Sequence, residues 1–232
     1  RRLCLRLGSA PVPHRVAVTA FASPNFGERR GGLRPGIIVL HYTGMASCAA
    51  ARARLCDPAA EVSAHWLISE GGEAEALVPE DQRAWHAGAG MWRGLDDVNS
   101  RSIGIELANT GAHPFPEPQI AALERLLAGV MSRWGIAPAA VIGHSDMAPA
   151  RKADPGARFD WRRLAQGGLS VWPLPAIPGD FTADLRAFGY PEAAPADVLA
   201  AFRRRFRPWA SGPADRVDAG LAADLAIRFG TG

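Results

Sequence analysis

The sequence predicts an α/β fold in which a mixed central β-sheet is flanked by helices and followed by a small all-helical domain. Short apolar runs typical of buried strands alternate with segments of helical spacing, and this alternation is irregular, which favours a mixed sheet. Prolines and a glycine cluster at residues 171–180, and only helical patterns follow them. A chain of 232 residues with 48% hydrophobic and 21% charged residues can bury a full core.

Five segments before the prolines have the pattern of strands. The run GIIVLHY at 36–42 contains four consecutive apolar residues, which predicts a strand buried on both faces. In SIGIELAN, at 102–109, apolar residues alternate with Ser102, Gly104 and Glu106, which therefore share one face. The other strands are predicted in AHWLIS (64–69), in GGEAEALVPE (71–80) after its turn, and in AVIGHSD (140–146), which runs into a loop.

Helical spacing occurs at 47–57 and at 116–135. The second segment predicts a long amphipathic helix ended by Gly135, and its apolar stripe consists of Ile120, Leu123, Leu127, Val130 and Trp134. Two or three short helices are expected beyond the prolines. A tail of this size is too small to be very stable alone, so we expect it to pack on the main domain. Its arginines at 203–205 are interpreted as a solvated helix face, with contact to an anionic polymer as the alternative.

The composition divides the chain and excludes some classes of protein. We expect a main domain at 1–173 with its core at about 20–173, a proline-rich linker at 174–180 and a small helical domain at 181–232. A net charge of +3 argues only weakly for a polyanionic partner. The basic residues are scattered without interleaved aromatic residues, which excludes an ordinary nucleic-acid-binding protein. No apolar run approaches the length of a transmembrane helix.

The cysteines and the N-terminus bear on the compartment. Cys4, Cys48 and Cys56 fit no disulfide framework, which favours free thiols and a reducing compartment. The first ten residues, RRLCLRLGSA, lack the apolar region of a signal peptide. We therefore expect a cytoplasmic protein. We also expect a monomer. Because the chain does not begin with methionine, a trimmed signal and a periplasmic or outer-membrane-associated protein are the alternative.

Two histidines and an aspartate form a candidate metal site. His41 and His144 each end an apolar strand, at the sheet edge where sites in open sheets tend to lie. Asp154 follows His144 by ten residues and precedes Pro155, which favours an extended chain at Asp154 and places it on the same side as Lys152. Two imidazoles and one carboxylate are the ligand set of a catalytic zinc site. Packed structural histidines are the alternative at this point.

Glu106 and Lys152 are the candidate catalytic residues. Glu106 shares its strand face with residues that have almost no side chain, which leaves room for a ligand above them, although a half-exposed strand would also explain it. Lys152 is the only lysine among 26 lysines and arginines. Chance explains one lysine, but a compact charge with a tunable pKa is the other explanation.

The motifs, taken in order, resemble those of a known enzyme family. They are IIVLHYTGM, VSAHWLI, RAWHAG, RSIGIELAN, GHSDMAPARKADPG and FDWRRL. Together they are similar to the zinc-dependent N-acetylmuramoyl-L-alanine amidases of the AmpD/AmiD type, which share their fold with peptidoglycan recognition proteins. The similarity covers about residues 20–173. The helical tail more loosely resembles the small peptidoglycan-binding-like domain of AmiD-type enzymes.

The resemblance implies a function and a role for each candidate residue. The enzyme would hydrolyse the amide between N-acetylmuramic acid, or its anhydro form, and L-alanine of peptidoglycan stem peptides, in cell-wall recycling or turnover. Its cofactor would be Zn²⁺, and its partners peptidoglycan fragments or muropeptides. The implied zinc ligands are His41, His144 and Asp154, the implied catalytic residues are Glu106 and Lys152, and the candidate substrate contacts are Trp85, His86 and Asn109.

For several other residues, and for the function, a second interpretation remains open. Trp85 also fits a core position and His86 a structural one, and His65 is expected to be packed or hydrogen-bonded. Asp146 is interpreted as a loop cap, with orientation of a ligand imidazole as the alternative. His14 and His113 lie in predicted loops. A non-catalytic peptidoglycan-binding module, or an endolysin-like amidase acting on intact cell wall, are the remaining functional hypotheses.

Overall fold

The structure, a computed structural model, describes residues 18–20 and 22–231. Cys4 and His14 lie outside the described residues. The strands are β1 (Val18–Ala20), β2 (Phe26–Gly27), β3 (Ile37–Tyr42), β4 (Trp66–Ile68), β5 (Ala74–Ala76), β6 (Arg83–Ala84), β7 (Ser102–Leu107) and β8 (Val141–Gly143). The α-helices are α1 (Cys48–Leu55), α2 (Val98–Arg101), α3 (Glu117–Trp134), α4 (His144–Met147), α5 (Trp161–Gln166), α6 (Phe181–Phe188), α7 (Pro195–Phe206) and α8 (Arg216–Phe229).

The central sheet is mixed, as the irregular alternation predicted. Within the described residues it contains six strands in the order β1–β5–β4–β7–β3–β8, and β2 pairs with β6 separately. Strands β4, β7, β3 and β8 are parallel, whereas β5 is antiparallel to β4. The carboxyl ends of the parallel strands therefore meet at one edge. There the register places His41 of β3 directly beside Glu106 of β7.

The long amphipathic helix α3 covers one face of this sheet. Its predicted stripe is buried apart from Trp134, which is partly buried, and it packs on Ile38 and Leu40 of β3 and on Ile103 of β7. Gly135 ends the helix with φ of 68°, a left-handed conformation that glycine adopts without strain. Because side chains alternate along a strand, Val39, His41, Gly104 and Glu106 lie on the opposite face.

The helical tail, residues 181–231, packs against that opposite face, as expected. Val39 and Ile142 of the sheet share a buried apolar cluster with tail residues, chiefly Leu185, Phe188, Phe202 and Phe206. Since these side chains are at most 1% exposed, sheet and tail are joined by a continuous apolar core rather than by a few surface contacts.

The interpretation of Arg203–Arg205 as a solvated face is wrong. Arg203 and Arg205 are 7% and 2% exposed. Helix α7 contacts α4 and α5, and each of these two buried guanidinium groups pairs with a carboxylate. Arg203 binds Asp218 of α8, with 2.5 Å between Nη2 and Oδ2, and Arg205 binds Asp146 of α4 at 2.6 Å. Pairing of this kind is what permits a buried arginine.

Several short elements had no sequence prediction. Strands β2 and β6 and helices α2, α4 and α5 have two to six residues each. Segments shorter than two helical turns show no clear periodicity in a sequence. None of the helices in the described part of the chain is long and apolar enough to cross a membrane.

Candidate metal and catalytic site

Three predicted metal ligands meet at the carboxyl edge of the sheet. His41 is the fifth residue of β3, His144 directly follows β8, and Asp154 lies in the loop after α4. Asp154 Oδ2 is 2.9 Å from His41 Nδ1 and 3.0 Å from His144 Nδ1, and the two Nδ1 atoms are 2.9 Å apart. All three residues are buried. Asp154 lies in a turn and is joined to Pro155 by a cis peptide bond.

The partner of His144 on its far side fixes which ring nitrogen carries the proton. His144 Nε2 is 2.9 Å from the carbonyl oxygen of Ala87. Because a carbonyl only accepts, Nε2 carries the proton, and the neutral ring leaves a lone pair on Nδ1. That lone pair is directed at His41 and Asp154.

A chain of hydrogen bonds fixes the proton of His41 in the same way. Ser102 Oγ donates to the carbonyl of Val98 at 2.6 Å, so it can accept from His86 Nε2 at 3.1 Å. The neutral His86 ring then accepts at Nδ1 from His41 Nε2, 3.1 Å away. The His41 proton is thereby placed on Nε2, which leaves the lone pair of Nδ1 in the site.

The resulting donor set fits a divalent metal. Two imidazole lone pairs and a carboxylate oxygen lie within 3.0 Å of one another. These electron-rich atoms repel one another unless a bound cation neutralises them. Burial, and next to it His144, lowers the pKa of His41 to about 4, so the ring is neutral at pH 7. Neutral imidazole and ionised carboxylate are the forms that bind zinc.

Glu106 faces the same point from the neighbouring strand. Its Oε2 atom is buried and has no hydrogen-bond partner among the described residues. Burial, and secondarily the charge of Asp154, raises the pKa of Glu106 to about 8, while Lys152 acts in the opposite direction. A partly exposed, unpaired carboxyl group beside a cavity is available to exchange a proton with a bound molecule.

A cavity of about 480 Å³ opens above these residues. Besides the three candidate ligands, it is lined by Glu106, Lys152, Trp85 and His86. Asn109 does not line it. The Asn109 side chain is buried, accepts the backbone N–H of Gly111 at 2.7 Å and contacts His113 Nδ1 at 3.2 Å, and it thereby braces the loop after β7.

The space predicted above Gly104 is occupied by His86 rather than by a ligand. A Cβ atom at Gly104 would lie 2.4 Å from Cγ of the His86 ring. Because Gly104 has no side chain, the His86 ring fits above it. His86 then contacts Nε2 of His41, on the side of the ring away from Asp154. His65 is buried as expected, accepting from the Gly104 N–H at 2.9 Å and donating to the carbonyl of Gln82 at 3.1 Å.

Some residues of the site had no sequence prediction. Ser102 and the carbonyl of Ala87 orient the two histidines, and the sequence offers no signal for either role. Asp146 caps its turn, as interpreted, by accepting the Gly143 N–H at 2.8 Å. It also binds Arg205 and Tyr190 of the tail, two contacts that only the folded chain reveals.

Comparison with known proteins assigns the chain to a family. A family model described as N-acetylmuramoyl-L-alanine amidase matches residues 31–157, the stretch that contains all five candidate metal and catalytic residues. The chain belongs to this amidase family. The enzyme is 35% identical to N-acetylmuramoyl-L-alanine amidase AmiD of Escherichia coli K12, over 84% of this chain and 83% of AmiD.

Two further comparisons extend the similarity of this amidase. The solved complex of E. coli AmiD with anhydro-N-acetylmuramic acid-L-Ala-D-gamma-Glu-L-Lys matches with a TM-score of 0.76 and 33% identity, covering 89% of this chain and 98% of AmiD. The 1,6-anhydro-N-acetylmuramyl-L-alanine amidase AmpD of Enterobacter cloacae is 43% identical over 103 residues, 44% of this chain and 55% of AmpD. The predicted family and fold class are thus confirmed.

Proposed function

We propose that this amidase is a zinc-dependent hydrolase that cleaves the bond between N-acetylmuramic acid, or its anhydro form, and the L-alanine of peptidoglycan stem peptides. The observation that carries the proposal is the convergence of the His41, His144 and Asp154 lone pairs beside the unpaired carboxyl group of Glu106. The relatives support the substrate class, since the AmiD complex contains an anhydromuramyl peptide.

In this mechanism His41, His144 and Asp154 hold the metal. Zn²⁺ held by these residues would supply Lewis acidity, which would make a water molecule more acidic and polarise the substrate carbonyl. Because a nearby cation favours the ionised form of a carboxyl group, Glu106 would be ionised when the metal is bound and would take a proton from the attacking water at its free Oε2 atom. The same carboxyl group returns the proton to the leaving amine of L-alanine as the C–N bond breaks, so water is consumed and the proton is conserved.

Lys152 acts on the charge that develops during the reaction. Its side chain lines the cavity with Glu106 and the metal ligands. An ammonium group there donates to the carbonyl oxygen as that oxygen becomes an oxyanion. Trp85, partly exposed at the cavity wall, offers an apolar surface to the sugar or the peptide.

We also propose the domain division made from the sequence, with the amidase unit at 1–173, the linker at 174–180 and the helical unit at 181–232. Residues 171–180 contain neither helix nor strand, which supports a linker. For the compartment we propose the cytoplasm, because Cys48 and Cys56 are free thiols. Burial raises the pKa of both thiols, which keeps them protonated and unreactive.

The function is tested with the purified zinc-loaded protein on an anhydromuramyl tripeptide and on whole sacculi. Mass spectrometry should detect a free peptide with an L-alanine N-terminus, and this product should disappear after dialysis against a chelator and return with zinc. Activity that survives complete removal of metal would refute the proposed mechanism. Stoichiometric zinc with substrate binding but no free peptide would instead identify a non-catalytic binding module.

A further inference from the structure

Arg205 of the helical tail inserts its side chain into the amidase unit. The side chain is 1% exposed, and Nη2 donates to the carbonyl of Val141 in β8 at 2.9 Å and to Ser170 Oγ at 3.2 Å. The guanidinium lies 4.3 Å from the ring centre of Trp161 in α5. Every one of these partners belongs to the amidase unit, so Arg205 connects two units of the fold through a desolvated contact.

Arg205 and a second tail residue, Tyr190, donate hydrogen bonds to the same carboxylate, that of Asp146. Asp146 Oδ2 accepts from Arg205 Nη1 at 2.6 Å, and Oδ1 accepts from the Tyr190 hydroxyl at 2.6 Å. Burial, and next to it the charge of Asp146, raises the pKa of Tyr190 well above its usual range, so the hydroxyl keeps the proton it donates. Asp146 is fully buried and ionically paired, and both of its oxygens are held from the tail.

Asp146 in turn belongs to the turn that carries a candidate metal ligand. Helix α4 has only four residues and begins with His144. Its start is fixed by the Gly143 N–H, which donates to Asp146 Oδ2 at 2.8 Å. The next residue, Ser145, donates its N–H to the carbonyl oxygen of Asp154 at 3.0 Å. Two of the three candidate ligands therefore depend on this one turn.

A helix of four residues has too few internal hydrogen bonds to define its own position. Metal ligands must be held within about half an ångström of their working geometry. We propose that Arg205 and Tyr190 are positioning residues for the zinc site, which hold α4 through Asp146 and so place His144 and Asp154. This inference rests on the proposed function, since it assumes that the three ligands bind zinc.

The test compares conservative variants in the full chain. Tyr190→Phe removes only the hydroxyl group, and Arg205→Lys keeps the charge but not the paired donors. Arg203→Lys is the matched control, because Arg203 lies on the same helix, is also buried and binds Asp218 within the tail. Zinc affinity is measured by competition with a chromophoric chelator, and thermal unfolding of the metal-free protein reports stability. The visible absorption of the Co²⁺ form reports ligand geometry.

We expect Tyr190→Phe and Arg205→Lys to weaken zinc binding about tenfold, the lower end of the effect of lost ligand support, and to change the Co²⁺ spectrum. Arg203→Lys should lower the unfolding temperature without either change. Wild-type zinc affinity in both Tyr190→Phe and Arg205→Lys would overturn the inference, as would equal weakening in the Arg203 control. Absence of zinc binding by the wild-type protein would overturn the proposed function first and this inference with it.

Discussion

Gly104→Ala should disrupt the support of His41 without touching a ligand. Gly104 lies in the middle of β7, and an added Cβ would lie 2.4, 2.6 and 2.7 Å from the Cγ, Cδ2 and Nδ1 atoms of His86. Strands β4 and β3 flank β7, so the backbone has no room to yield. The His86 ring must therefore move away from Ser102 and His41.

The loss in the free energy of unfolding follows from these contacts. Overpacking of a tight site costs about 1 to 3 kcal/mol. The two hydrogen bonds of His86, at 3.1 Å each, contribute about 1 kcal/mol apiece. Alanine also lowers the conformational entropy of the unfolded chain, which offsets about 0.4 to 1 kcal/mol of this loss. The free energy of unfolding should thus fall by roughly 2 to 5 kcal/mol, and zinc affinity by about tenfold because His41 loses its orienting partner.

Urea unfolding of the metal-free protein and chelator competition measure the two effects. Gly36→Ala is the matched control, since no atom lies within 4 Å of its added Cβ and it should unfold like the wild type. The clash is isolated by repeating Gly104→Ala in a His86→Ala background, where the methyl group has space and should cost far less. The same loss in both backgrounds, or a loss below about 0.5 kcal/mol in the wild-type background, would show that His86 does not fill this space.

Three further predictions concern single groups. Glu106→Gln should bind zinc normally but lower the rate of peptide release by about 10² to 10⁴, and normal turnover would remove Glu106 from the mechanism. Lys152→Arg should lower kcat at least about tenfold, because a planar guanidinium does not replace a compact ammonium group at the oxyanion; full activity would make the lone lysine an accident of composition. Burial lowers the pKa of His65 from 6.5 to about 3, so the unfolded chain binds a proton there that the folded chain does not. The free energy of unfolding should therefore fall as the pH drops from 6.5 toward 3, with His65 contributing at most about 1.4 kcal/mol per pH unit. Denaturant titrations of the metal-free protein at several pH values should show a shallower slope for His65→Asn, and an unchanged slope would contradict the assignment.

The sequence located the candidate site because strand ends can be recognised locally. His41 and Glu106 each occupy the fifth position of a six-residue strand, and His144 directly follows another strand. The carboxyl ends of parallel strands meet at one edge, so residues far apart in the chain could be placed together before the structure was known. The long helix α3 could also be predicted from a local pattern, because its apolar periodicity extends over several turns.

The supports of the site could not be predicted, because they are set by contacts between distant segments. Arg205 and Asp146 are separated by 59 residues, and no local pattern distinguishes a buried, paired arginine from an exposed one. The arginines of α7 were misinterpreted for that reason. Likewise, the small side chains on the inner face of β7 suggested space for a ligand, whereas a histidine from another loop fills it.

The sheet register that places His41 beside Glu106 has a consequence for how the enzyme can change. The spacing of adjacent strands, about 4.8 Å, is common to all β-sheets and does not depend on loop sequence. The spacing between the backbone positions of the candidate base Glu106 and the candidate ligand His41 is therefore built into the backbone ladder. Insertions and substitutions in the loops around the cavity can alter which sugars and peptides are accepted while this spacing stays constant. Substrate range can diversify on such a scaffold without rebuilding its chemistry.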